Sequence, residues 1–367
     1  MNAVTTTAPT DGEQRDALAE RLFLAAVASV DVLAVHVGDR LGWYAALAAG
    51  GPSTAAELAA ATGSDARYAR EWLEQQAVTG ILEVDDVAAG ADARRYTLPA
   101  GHAEVLLDRE SLSYSAPFAR IMAACANVMP DLLEAFRTGG GVPWTAYGAD
   151  GREAQADANR PLFQHLLGQQ WLPALPDVHA RLSEPGARVA DVACGGGWSS
   201  IAIARAYPHA RIDGYDTDEA SIDLARANAA AAGVDDRVAF HVRDITLDPA
   251  PAGPYDLVCV FEAIHDMAQP VPVLAALRAL AGEDGTVLVM DERTAETFTA
   301  PADELERMLY GYSVFCCLPV GRSEDPSVAT GTVMRPATLA GYAREAGFAD
   351  AEVLGIEHDV FRFYRLV

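Results

Sequence analysis

RVADVACGGG, residues 188–197, decides how this chain folds. Its first half is apolar on both faces of an extended chain, as a strand buried inside a parallel sheet must be. Its second half is three glycines, Gly195, Gly196 and Gly197, running straight into WSSIAIARA. Glycines at a strand-to-helix turn let the backbone bend sharply and let a ligand approach it closely. The same texture repeats downstream: RIDGYD (211–216), then DEASIDLARANAAAAG; RVAFHV (237–242); YDLVCVF (255–261), then PVPVLAALRAL; and GTVLVMD (285–291). Strands alternating with helical runs predict an α/β fold, a parallel sheet covered on both faces.

The acids at these strand ends narrow the ligand. Asp191 lies at the carboxyl end of the first strand, where it would repel a pyrophosphate and attract an ammonium group. The third position of a dinucleotide fingerprint is Ser200 rather than glycine or alanine. Both points favour S-adenosylmethionine over NAD. Asp216, nineteen residues past Gly197, is placed to accept ribose hydroxyls. Asp244 and Ile245 end the third strand, where an adenine would lie. Each acid has a plainer reading as a helix N-cap, worth about 0.3–1 kcal/mol, and Asp218 suits that reading best.

Residues 185–293 resemble the core of a class I S-adenosylmethionine-dependent methyltransferase: DVACGGG is similar to that family's D-x-G-x-G-x-G, with Ala193 for the first glycine. VHVGDRLGWY (35–44) and FEAIHDMAQP (261–270) extend the likeness to two-domain small-molecule O-methyltransferases and their actinobacterial relatives. The resemblance implies a Rossmann-like seven-stranded sheet with its last strand antiparallel, after a mostly helical winged-helix domain. It implies S-adenosylmethionine as cofactor, held by Asp191, Gly195, Gly197, Asp216, Thr217, Asp244, Ile245 and Phe261.

Methyl transfer is an in-line displacement, and a phenolic acceptor must lose a proton to a base. His265, just past the YDLVCVF strand, is the candidate base, with Asp266 or Glu262 orienting it; the resemblance puts a His-Asp pair in this segment. Trp144 and Tyr147, from the loop TGGGVPWTAYGADG (138–151), and Trp171 are candidate pocket walls. Tyr310, with Tyr312 and Phe315 in a lid insertion at 293–335, and His358, between the last two strands, are further candidates for the substrate pocket. No metal site is expected, because Asp291 and Glu292 are adjacent and should point to opposite sides of a strand.

Composition bounds these readings. The 27 basic residues are all arginine against 52 acids, a net charge of −25. Without lysine there is no Schiff-base enzyme and no Walker A loop. PSTAAELAAAT and SDARYAREWLEQQAVTG (residues 52–62 and 64–80) read as a helix-turn-helix with a wing over 81–98. The first hundred residues hold seven arginines and fourteen acids, the wrong balance for phosphate contacts. The expected domains are a winged-helix dimerisation domain (14–100), a helical linker and pocket segment (101–185) and a catalytic domain (186–367). A dozen disordered residues precede them, with no signal pattern and no membrane span, and five cysteines without ligand-like spacing suit a reduced cytoplasm.

Taken together, the chain is expected to be a homodimeric enzyme that methylates a small aromatic or apolar acceptor, foremost at a hydroxyl oxygen. Methylation at nitrogen or carbon, or a non-methylating use of the same cofactor, are alternatives on this fold. A ligand-sensing transcription regulator is the reading from a different class.

Overall fold

A computed structural model describes residues 9–247 and 254–367, in two compact units that meet in sequence between Ala123 and Ala124. Of the dozen residues expected to be disordered, 1–8 lie outside the described residues. The rest of that expectation fails: Thr10 and Glu13 form a reciprocal capping box that starts a helix at Asp11.

The first unit opens with two helices, Asp11–Arg40 and Trp43–Gly50, broken at the left-handed Gly42. Helices Ala55–Thr62 and Ala66–Val78 follow, capped by Thr54 and Asp65 and joined through Gly63. The wing is shorter than its sequence suggested, with β1 (Glu83–Val84) paired antiparallel to β2 (Tyr96–Thr97). Trp43, Tyr44, Leu47, Trp72 and Tyr96 centre the core. Gly38 lets the long helix run over it, since a Cβ there would stand 2.2 Å from the Trp72 ring.

The second unit is built on β3 (Arg188–Val192), β4 (Arg211–Asp216), β5 (Val238–Val242), β6 (Leu257–Phe261), β7 (Thr286–Glu292), β8 (Ala351–Val353) and β9 (Phe361–Leu366). They form one seven-stranded sheet in the order β5-β4-β3-β6-β7-β9-β8, with β9 antiparallel to both neighbours. Strands β3 to β7 fall within two residues of the stretches read from sequence; β6 and β7 are apolar runs buried on both faces, while in β5 the buried Val238 and Phe240 alternate with more exposed residues. One face packs on Leu167, Trp171, Ile201, Ile203 and Ile222, the other on Leu274, Leu277 and Leu339. The chain reverses direction of travel across the sheet at β3, whose neighbours are β4 and β6, and a crevice for ligands opens at such a point.

After β7 the chain forms helix Glu304–Tyr312, widens into π-type turns over Ser313–Cys317 and closes with Leu318–Gly321. The glycine-rich loop at 139–141 lies against this segment, and Val142 N–H donates to the Pro319 carbonyl at 2.9 Å. Gly141 is there by necessity: a Cβ would sit 2.2 Å from the backbone of Arg322 and Ser323.

Candidate active site

The glycine turn is held by two carboxylates from opposite sides. Asp191, at the end of β3, is 1% exposed and accepts the hydroxyls of Ser199 and Ser200, each at 2.6 Å. Burial pushes its carboxyl up to about 6, against the two serine hydrogen bonds. Ser200 is thus the partner of Asp191, which accounts for serine where a dinucleotide fingerprint has glycine or alanine. Asp216, at the end of β4, accepts Gly195 N–H and Asp218 N–H at 2.9 Å each. Its carboxyl is raised, chiefly by burial.

Within the turn the glycines have separate jobs. A Cβ on Gly197 would meet the Phe240 ring at 2.6 Å, and one on Gly196 would meet Ala156 Cβ at the same distance. Above Gly195, at φ +49°, a Cβ would meet nothing within 4 Å. Open space over a backbone turn, with the Asp216 carboxylate beside it, suits a hydroxyl-bearing cation, so the residues present fit S-adenosylmethionine. The other expected cofactor residues are spread around this turn. Thr217 is exposed, as is Asp244, which takes Thr246 N–H at 2.8 Å, whereas Ile245 is buried and Phe261 packs on Phe163 at 5.5 Å. Asp218 caps helix Glu219–Ala232 and pairs with Arg152 at 2.8 Å.

Beyond β6 the backbone turns left-handed at Glu262 (φ 52°), and a single 3-10 turn, Ile264–Asp266, carries His265 inward to 2% exposure. Its Nδ1 lies 2.8 Å from Asp291 Oδ1 and 3.0 Å from Glu292 Oε2. This corrects two expectations. Neither Asp266 nor Glu262 orients the ring; and Asp291 and Glu292 converge instead of pointing apart. Both residues stay in register with β9, Asp291 opposite Arg362 and Glu292 opposite Phe361, so it is the reach of their side chains at the end of β7 that brings both carboxylates to the ring.

Electrostatics follow from the burial. Desolvation works against a charged His265, yet Glu292 and Asp291 outweigh it and hold the imidazole well above its usual range. Glu292 is itself raised by burial and by the charge of Asp291. Burial pushes Glu262 up to about 7; its carboxylate takes the amides of Asn159 and, at 3.1 Å, of Gln155. Burial raises Asp266 to about 8.

The aromatic residues divide. Tyr147 is buried, donates its hydroxyl to the Phe315 carbonyl at 2.7 Å and stacks on Trp144 at 5.9 Å. Tyr312 is half-buried near Cys125, Cys317 and Glu262, and burial lifts its hydroxyl to about 12. Tyr310 turns outward, edge-on to Phe298 at 6.4 Å, with Arg335 donating to its hydroxyl at 3.4 Å. Trp171 is a core residue between Phe363 and His358. The His358 Nδ1 accepts the backbone amides of Val360 and Phe361 at 3.2 Å, so this ring pins the β8–β9 connection.

Asp291, Glu292, Asn159, Gln155 and Cys317 were not anticipated as neighbours of this centre. Only the acid pair carried a signal, two adjacent carboxylates closing an apolar strand at the same sheet edge as His265.

Comparison with known proteins matches residues 183–329 to a methyltransferase domain and residues 28–108 to an Rv2258c-like winged HTH domain. Among curated relatives, the ubiquinone biosynthesis O-methyltransferase of Marinobacter nauticus is 27% identical over 220 residues, 56% of this chain and 87% of that one. Its counterpart from Bordetella bronchiseptica is 31% identical over 176 residues, 47% of this chain and 67% of the other. Among solved structures, the mitomycin 7-O-methyltransferase MmcR superposes with a TM-score of 0.68 at 21% identity, covering 96% of this chain and 98% of its own. Human N-acetylserotonin methyltransferase bound to S-adenosylmethionine gives 0.68 at 18% identity, covering 100% and 99%. These structures share the fold.

Proposed function

Because this chain belongs to the S-adenosylmethionine-dependent methyltransferases, we propose that it methylates a hydroxyl oxygen of a small aromatic acceptor, with His265 as general base. One observation carries the proposal: a buried histidine at the end of β6 whose Nδ1 is committed to Asp291 at 2.8 Å. With Nδ1–H donating there, Nε2 is the nitrogen that can take a proton, and Asp291 stabilises the imidazolium that results.

The cofactor, when bound, supplies a methyl group activated by a sulfonium charge. Asp216 would hold its ribose hydroxyls, with Thr217 alongside, and the open backbone at Gly195 would let it lie close. Asp244, Ile245 and Phe261 would border its base, while Asp191 fixes the start of helix Trp198–Ala206 through Ser199 and Ser200. Tyr147, Trp144 and Tyr312 form aromatic walls suited to a planar acceptor, and such walls keep water from an alkylating agent.

Incubation with S-adenosylmethionine and a panel of phenols should yield S-adenosylhomocysteine and a methyl ether, detected by mass spectrometry. A product methylated at nitrogen or carbon, or product formed without S-adenosylhomocysteine, would overturn the oxygen reading or the transfer itself. Solved relatives support a phenolic acceptor: an O-methyltransferase from neocarzinostatin biosynthesis was crystallised with S-adenosylhomocysteine and 1,4-dihydroxy-2-naphthoic acid, at a TM-score of 0.62 and 20% identity.

The winged-helix unit serves assembly in this proposal rather than DNA binding, given its excess of acids. Helix Asp11–Arg40 exposes Leu22 (60%), Phe23 (68%), Val30 (60%) and Leu33 (42%), an apolar stripe that a second copy of the chain would cover. Replacing Phe23 and Val30 by Asp should halve the mass measured by light scattering; an unchanged mass would exclude this helix from the interface. No helix of the described residues is long and apolar enough to cross a membrane. All five cysteines are free, which suits a cytoplasmic setting.

A further inference from the structure

Three donors of different chemistry meet beside His265. An imidazole nitrogen of His265, a carboxylate oxygen of Asp266 and the sulfur of Cys317 all lie within 4.8 Å of one another. They come from two segments that are pressed together: the 3-10 turn Ile264–Asp266, and the π-type turns ending at Cys317. The closeness is built in, since a Cβ on Gly321 would stand 2.9 Å from the Asp266 carbonyl oxygen.

We infer that His265, Asp266 and Cys317 form a site for a thiophilic divalent cation of the zinc class, and that loading it takes His265 out of proton transfer. The second half of this inference rests on His265 being the base; the first does not. Sulfur, nitrogen and carboxylate oxygen are the ligands zinc takes, at about 2.3, 2.0–2.1 and 2.0–2.2 Å. Magnesium and calcium prefer all-oxygen sites, so the thiolate discriminates against the abundant hard cations.

The far side of the ring strengthens the assignment. A ligating histidine characteristically donates its other N–H to a carboxylate, which fixes ring and tautomer. Here Asp291 and Glu292 already hold Nδ1, at 2.8 and 3.0 Å, and leave Nε2 for the ion. Binding displaces the Cys317 thiol proton and any proton on Nε2 to solvent. A lone pair shared with a cation cannot accept a proton from an acceptor hydroxyl, so ion and acceptor compete for one nitrogen.

The test uses the full chain, stripped with chelator and titrated with Zn²⁺ by calorimetry, in parallel with Cys317→Ser and Asp266→Asn. Both substitutions should weaken the tight site more than about a hundredfold, beyond the roughly 10–100-fold loss typical of an outer-shell change. Co²⁺ should give a thiolate-to-metal charge-transfer band in the unsubstituted protein and none in Cys317→Ser. Saturating Zn²⁺ should suppress methyl transfer, EDTA should restore it, and Cys317→Ser should need more zinc for the same suppression. Equal zinc affinity with and without Cys317, or a cobalt spectrum lacking the band, would overturn the site. Tight, Cys317-dependent binding with turnover undiminished would overturn only the competition for His265. The binding and cobalt arms need no turnover, so they decide the site even if every acceptor tried proves inert.

Discussion

His265→Gln should lower kcat by about 10²–10⁴-fold, the usual contribution of a positioned general base, while binding of S-adenosylhomocysteine stays unchanged by calorimetry. Glutamine is the informative replacement. Its amide can still donate to Asp291, so no buried carboxylate is stranded, but it cannot take a proton. The pH dependence supplies a second readout with a definite sign. The base acts only when deprotonated, and Glu292 and Asp291 hold the imidazole well above its ordinary value. Activity should therefore climb with pH on a limb lying above about 6.5, the free histidine value. Asp291→Asn removes one of the charges responsible and should move that limb down. Full activity in His265→Gln on a phenol, or a limb that does not respond to Asp291→Asn, would remove His265 from the role of base.

Asp216→Ala should abolish measurable S-adenosylhomocysteine binding, and with it all turnover. Two losses coincide in this variant. The carboxylate that would take the ribose hydroxyls is gone, and so is the acceptor for Gly195 N–H, which Asp216 receives at 2.9 Å. Asp216→Asn separates them, because an amide oxygen can still accept from Gly195 and one hydroxyl. Its binding should fall between the two. Were Asp216→Ala to bind S-adenosylhomocysteine like the unsubstituted protein, the β4 end would not be the ribose site.

Much of the sheet was readable from sequence because its central strands β6 and β7 are buried on both sides and their runs of Val, Leu, Cys, Met and Phe cannot alternate. The glycine turn was readable because three consecutive glycines after such a strand have few other uses. Where a helix turns its faces was less readable. Periodicity marked Tyr310 and Tyr312 equally, but Tyr310 pairs with Phe298 and Arg335 on the outside, while Tyr312 approaches Cys125 and Cys317. Trp171 and His358, far apart in sequence, meet only because β9 runs between β7 and β8.

The partners of His265 escaped for a sharper reason. The rule that successive strand residues face opposite ways describes where side chains start, and Asp291 and Glu292, past the last β6 pairing at Met290, are long enough to reach one ring from both sides. The five cysteines have no ligand-like spacing, and nothing in one dimension says that Cys317 comes within 4.8 Å of His265 and Asp266.

The two ends of the reaction centre are made of different materials. The cofactor end is mostly main chain: a turn shaped by glycines, clamped between Asp191 and Asp216. In the proposed function the acceptor end is mostly side chain, drawn from the loop around Tyr147, the turn at His265 and the inserted helix. Substitutions in the second can accumulate without disturbing the first. Given the proposed acceptor site, such a partition makes the residues around Tyr147 and Tyr312 the place to begin re-engineering selectivity without disturbing the methyl donor.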